Sequence, residues 1–149
     1  MVGQYFSDNI VICNASLSGD ELNALYELTD FYLCTSHAEG QNFPLQEAMA
    51  LGVVPISVRH TAMADYITTG NAIVLESEAQ ALPPSVARKY ALSGARWFCA
   101  RPFNVYEGLN RAFNLPPGDY ERLSASAAGA IAEHFSASAI WSKMRAALQ

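Results

Sequence analysis

The chain has 149 residues, which points to one domain able to bury roughly 70% of the surface its unfolded form exposes. Hydrophobic residues make up 51% and charged residues 15%, so a disordered chain is excluded. The net charge is −5, and the nine Lys and Arg are scattered, which argues against a nucleic-acid partner and against a polybasic membrane patch.

The first strand expected is "NIVICNA", Asn9 to Ala15, a β-branched apolar run. Ser18 and Glu21 form a capping-box pair, and Leu22, Leu25 and Tyr26 recur at helical spacing, so a helix is expected from about Gly19 to Leu28. "FYLCTS", Phe31 to Ser36, is the next strand. A polar turn leads to a helix opened by Pro44, and Gly52 ends it. "VVPISV", Val53 to Val58, is a third strand. A short helix over Ala62 to Ile67, a turn at Gly70 and Asn71, and a strand from Ala72 to Leu75 follow.

Alternating strands and helices indicate an α/β parallel sheet, and the nearly continuous apolar strands indicate helices on both faces. After Glu76 the pattern changes. "PPSVARKYALSGARWF" is expected to be a loop and then a helix, followed by three more helices in "NVYEGLNRAF", "GDYERLSASAAGAIAEHF" and "SASAIWSKMRAAL". Tyr120, Leu123, Ile131 and Phe135 make one apolar face; Ile140, Met144 and Leu148 make another. The expectation is therefore a single domain over 1–149, with an α/β part at 1–76 and a mainly helical tail at 77–149.

Cys13, Cys34 and Cys99 are odd in number and widely spaced, and are expected to be buried free thiols in a reducing compartment. The start "MVGQYFSDN" lacks the basic residues and apolar stretch of a secretion signal, and no apolar run is long enough to span a bilayer. The cytoplasm is the expected location.

The stretch "HAEGQNFPLQEAMALG", His37 to Gly52, carries Glu39 in a turn and Glu47 one turn into the next helix. Ligands of open α/β sheets bind beyond the carboxyl ends of the strands, where this turn lies. The helix start attracts an anion, with Phe43, Leu45 and Gln46 as amide donors because Pro44 has none. A carboxylate such as Glu47 can accept two adjacent sugar hydroxyls. The arrangement suits a nucleotide-sugar: ribose at Glu47, diphosphate at the helix start, sugar near Glu39. Spacing alone favours the plainer reading of two solvated glutamates.

In its wider context the region from Leu25 to Glu76, about a third of the chain, resembles the carboxyl-terminal domain of retaining GT-B-fold glycosyltransferases of group 1 (family 4). The matching features come in order: the strand from Asp30 to Ser36, the E-x7-E pair of Glu39 and Glu47, "EAMALGVVP", Thr61, Ala62 and Asp65 at the family's GG and acidic positions, and the turn at Gly70 and Asn71. The resemblance implies a partial Rossmann-like sheet with a helical carboxyl-terminal extension. It also implies sugar transfer from a nucleoside-diphosphate-sugar donor to a saccharide or lipid-linked acceptor, with no cofactor and no metal. By that resemblance Glu47 binds ribose, Glu39 works at the donor sugar, and Gly40, Gln41, Asn42, Phe43 and Leu45 contribute backbone contacts. His37, Arg59, His60 and Thr61 are secondary candidates beside the pocket. Two other readings stay open: a non-catalytic nucleotide-sugar binding or assembly module, and a sugar-nucleotide epimerase of GT-B architecture.

The chain departs from the family at several points. Asn42 replaces a usual Gly, and Thr61 and Ala62 replace the GG pair. Nothing corresponds to the family's first two strand–helix units, with their Arg and Lys for the diphosphate, or to its amino-terminal domain. The chain is thus expected to be an inactive fragment of an enzyme that works in the cytoplasm or on the inner face of the membrane. With those strands absent, strand 9–15 is expected to pair beside strand 31–36 or to recruit a second copy through an exposed edge.

Overall fold

The computed structural model describes residues 4–7 and 9–148; the remaining positions of the expected 1–149 domain lie outside the described residues. Its centre is a three-stranded parallel sheet of β3 (Phe31–Cys34), β4 (Val54–Val58) and β5 (Ile73–Leu75), in the order β3-β4-β5. Leu33, Ile56 and Ile73 lie in register across it. β4 is buried at every residue, as an apolar run covered on both faces must be. The partial Rossmann-like α/β architecture is therefore as expected.

Two helices tie into the sheet through their ends. α1 (Gly19–Glu27) starts at the Ser18–Glu21 capping box, with Glu21 held below the usual carboxylate range by its bonds to the Ser18 backbone and hydroxyl. α2 (Phe43–Ala50) closes in a Schellman turn: the Gly52 N–H donates to the Met49 carbonyl (2.9 Å) and the Val53 N–H to that of Ala48 (3.1 Å). Gly52 has φ 83°, where a side chain is strained, and its Cβ would meet Ser124 Oγ at 2.8 Å. That hydroxyl instead donates to the Gly52 carbonyl at 2.6 Å and docks α5 (Pro117–Phe135) on the end of α2.

Three expectations are corrected. The strand over 9–15 shortens to β2 (Ile10–Ile12), which pairs antiparallel with β1 (Gln4–Ser7) and not beside β3. A local hairpin satisfies its backbone at lower loop-closure cost than a distant partner, so β3, like β5 at the other side, remains an edge of the sheet. The loop and helix expected over 83–98 become a second hairpin: β6 (Glu78–Ala81), a short α3 (Pro84–Lys89) and β7 (Arg96–Cys99). The aromatic pair Trp97 and Phe98 fits an extended strand better than a helix. Third, Cys13 is exposed, while Cys34 is buried and Cys99 half-buried; all three are free thiols.

The carboxyl-terminal part is helical: α4 (Pro102–Phe113), α5 and α6 (Ala137–Ala147). Leu123, Ala127 and Ile131 of α5 are buried in the main core with Leu45, Met49, Ile56 and Ile67. The face expected on α6 finds no such cover: Ile140, Met144 and Leu148 are exposed. Among the described residues no helix is long and apolar enough to cross a membrane.

Candidate functional site

β3 ends at Cys34, and the chain turns through residues 35–42 before entering α2. This turn lies at the carboxyl end of the sheet, where open α/β sheets hold their ligands. It borders a cavity of about 810 Å³, a size typical of small-molecule sites.

Nearly every second residue of the turn is tethered. Asn42 is left-handed at φ 61°; its Oδ1 accepts the Leu45 N–H (3.4 Å) and its Nδ2 donates to Cys34 Sγ (3.2 Å). Tyr66, buried beneath, donates its hydroxyl to the Gln41 carbonyl (3.0 Å). Thr61 Oγ1 accepts the Glu39 N–H (3.1 Å), and the Ala62 N–H donates to the Glu39 carbonyl (3.4 Å). The Phe98 N–H of β7 donates to the His37 carbonyl (3.0 Å), and His37 Nδ1–H donates back to the Phe98 carbonyl (2.6 Å). Two separate segments, 61–66 and β7, thus clamp one loop, so the side chains and amides facing the cavity are preorganised rather than ordered on binding.

The two departures from glycine keep the backbone that glycine would give. Asn42 is a residue type that tolerates the left-handed region. Thr61 is not, and its φ of 49° is a strained conformation for a β-branched side chain. The Glu39 amide bonded to its hydroxyl is the compensation.

The structure brings His37, Glu39, Gly40, Gln41, Asn42 and Phe43 together around the cavity. Leu45 does not line it: its side chain is fully buried, and its amide is occupied by Asn42. The Gln46 amide likewise donates to the Asn42 carbonyl (3.2 Å), so two of the three helix-start donors named from the sequence are used internally. Glu47 is exposed and also lies outside the lining. Its charge is still felt nearby, since both Glu47 and Glu39 help burial push the Tyr32 phenol up, and Glu47 does the same at Tyr26. Arg59 is exposed at the end of β4 and does not line the cavity.

His60 is buried at 4% exposure and stacks on Phe98 (ring centroids 4.3 Å apart), and its Nε2 has no hydrogen-bond partner. Burial, and then the neighbouring His37, lower its pKa, partly offset by a Ser36 backbone hydrogen bond. Tyr66 was not signalled by the sequence. Its pKa is raised, first by burial and then by Cys34, Glu39 and Asp65, so its hydroxyl stays a donor. Trp97 and Phe98 were also missed as site residues. Their adjacent aromatic rings in a short run were the available signal, and each covers one histidine.

A comparison with curated proteins gives no match. A family model described as glycosyl transferases group 1 matches residues 4–90, more than half of the chain and the whole of the turn, α2 and the parallel sheet. With the carboxylate-bearing turn at the sheet's carboxyl end, that match means that this chain belongs to the group 1 glycosyltransferase family.

Proposed function

We propose that this chain forms the donor side of a retaining glycosyltransferase, which moves a sugar from a nucleoside-diphosphate-sugar to a saccharide or lipid-linked acceptor. The observation that carries the reading is the clamped turn 35–42, which holds Glu39 on the cavity immediately before α2. Glu39 accepts hydrogen bonds from the donor sugar's hydroxyls, and the two oxygens of Glu47 take the adjacent ribose hydroxyls. Because Leu45 and Gln46 are committed to Asn42, the main-chain contact falls to the amides ahead of Leu45, from Gly40 to Phe43. No acidic side chain stands in the first turn of α2, so its positive end is not neutralised and favours the diphosphate.

The chemistry follows the family's front-face proposal. The acceptor oxygen bonds to the anomeric carbon on the face from which the diphosphate departs, and the departing phosphate oxygen takes the acceptor's proton. Neither glutamate becomes covalently attached, and the reading requires no metal. Acceptor binding belongs to an amino-terminal domain. Self-association, if the open edge of β3 drives it, is homodimeric; a strict monomer by light scattering at high concentration would exclude it.

The test is an amide-resolved NMR titration with UDP-, GDP- and dTDP-sugars. Shifts are expected to cluster in residues 37–43 and at Glu47. Glu47→Ala should weaken binding by about 1.5–3 kcal/mol, the worth of hydrogen bonds to a charged group. Equal binding by the variant contradicts the ribose assignment, and shifts confined to other regions overturn the donor site.

A further inference from the structure

We propose that His37 supplies the positive charge that holds the donor's diphosphate, taking up a proton at Nε2 as the donor binds. The inference rests on the donor-site reading above and adds to it a residue and a pH dependence.

The cavity poses an electrostatic problem. Its lining includes Glu39, and a diphosphate placed there brings more negative charge into a partly enclosed space. Among the described residues, none of the chain's Lys and Arg lines it. Among the described residues, His37 is the only lining residue able to become a cation.

The geometry fixes how it would do so. The Phe98 carbonyl at 2.6 Å has no hydrogen to give, so His37 Nδ1 carries one. In the neutral ring Nε2 is then the basic nitrogen. Protonation there turns the bond to Phe98 into a charge-assisted one. The ring also stacks on Trp97, with centroids 4.2 Å apart and planes 19° from parallel. An aromatic face favours a cation above it. Both contacts come from β7, so the second hairpin orients the imidazole, and His37 is exposed enough for Nε2 to exchange protons with water.

The surrounding charges agree with this assignment. Glu39 lies on the same turn and lines the same cavity. His60, at the end of β4, is buried and feels the charge of His37, and both disfavour its own protonated form. β7 presents uncharged rings to both histidines. Arg96 beside them is turned to the Ala79 carbonyl (2.7 Å), and Arg101 pairs with Glu78 (2.7 Å). From α4, Tyr106 shares an adjoining groove with His37.

The experiment uses the full chain with UDP-, GDP- and dTDP-glucose, whose disubstituted diphosphates keep their charge across the range studied. For the compound that binds, affinity is measured between about pH 5 and 8, the window of histidine titration. Wild type should bind about tenfold more tightly at the acid end, a gain expected of one charge-assisted hydrogen bond. His37→Gln should lose that gain and match wild type at the alkaline end. The corresponding free nucleoside should bind both proteins equally at every pH. Because a substitution at a clamped position can disturb the turn, the wild-type His37 Cε1–H resonance is followed as well, and saturating ligand should raise its titration midpoint. An unchanged pH dependence in His37→Gln, or an unmoved midpoint, overturns the role of His37 while leaving the donor site intact. If none of the three compounds perturbs residues 37–43, the donor site falls and the proposal with it.

Discussion

α5 and α6 are consecutive helices with comparable apolar stripes, yet only α5 is buried. In α5, Leu123, Ala127 and Ile131 are at most 9% exposed; in α6, Ile140, Met144 and Leu148 are 40%, 52% and 86% exposed. What lies opposite each helix makes the difference. α5 meets the end of α2, where Ser124 Oγ donates to the Gly52 carbonyl (2.6 Å), and its Ala127 is buried in the main core. Tyr120 and Phe135 then add edge-to-face contacts with Phe31 and Tyr66. α6 holds mainly to α5 itself, through Lys143 Nζ donating to the His134 carbonyl (3.1 Å) and lying over the Phe135 ring. Periodicity reveals that a face is apolar; whether it is covered depends on the shape of what lies opposite.

The comparison is broken most sharply from the sheet side. Ile56, 1% exposed at the centre of β4, packs within the main core cluster. Ile56→Ala should lose about 2–5 kcal/mol of stability in urea unfolding monitored by circular dichroism. A loss below about 1 kcal/mol would mean that the sheet is not the structural centre that supports α5.

The same contrast separates what could be read from the sequence from what could not. The parallel strands were legible because a doubly covered strand is nearly continuously apolar, as Val54 to Val58 is apart from Ser57, whose hydroxyl donates to the Val58 carbonyl. The cap at Ser18 and the stop at Gly52 were legible because each satisfies backbone groups within a few residues. The turn itself was found through the Glu39 and Glu47 pair and the helix start at Pro44. Its clamps were not found. Tyr66, Phe98 and Trp97 reach it from 25 to 61 residues away, through contacts that only the tertiary fold creates. The β1–β2 hairpin escaped for another reason: Ile10, Val11 and Ile12 are all exposed, so no alternation marked an inner face.

A second test concerns α4, which lies against β5 and β4 more closely than its sequence suggests. A Cβ on Gly108 would collide with Leu75 and press on Ile56 Cγ2 at 3.2 Å, and both of those side chains are buried. Gly108→Ala, ordinarily favourable in a helix, should therefore cost about 1–3 kcal/mol through overpacking. A stabilised variant in thermal unfolding would show that α4 stands further from the sheet.

His60 tests the clamp through pH. Its folded pKa lies below the ordinary value of 6.5, chiefly through burial and then through His37. Between those two values the unfolded chain binds more protons than the folded one. The stability linked to His60 is therefore complete above the unfolded pKa and is lost as pH falls through the folded value. His60→Phe keeps a ring against Phe98 and removes the unpartnered Nε2. It should be neutral, or stabilising by up to about 1 kcal/mol, at alkaline pH. It should also flatten the acid limb of stability measured by urea unfolding across pH. An acid limb as steep as that of wild type would place the titrating group elsewhere.

The smallest effect is expected on the face of α6. Met144 is 52% exposed and has little packing to lose, so Met144→Ala should change stability by no more than about 0.5 kcal/mol. The measurement gains force when repeated over a range of protein concentrations. A small, concentration-independent change fits a solvated face, while a larger loss that grows with concentration means that a second copy covers α6, because association adds stability by mass action. In that case the contrast with α5 would concern where the cover comes from: the sheet for one helix, another molecule for the other.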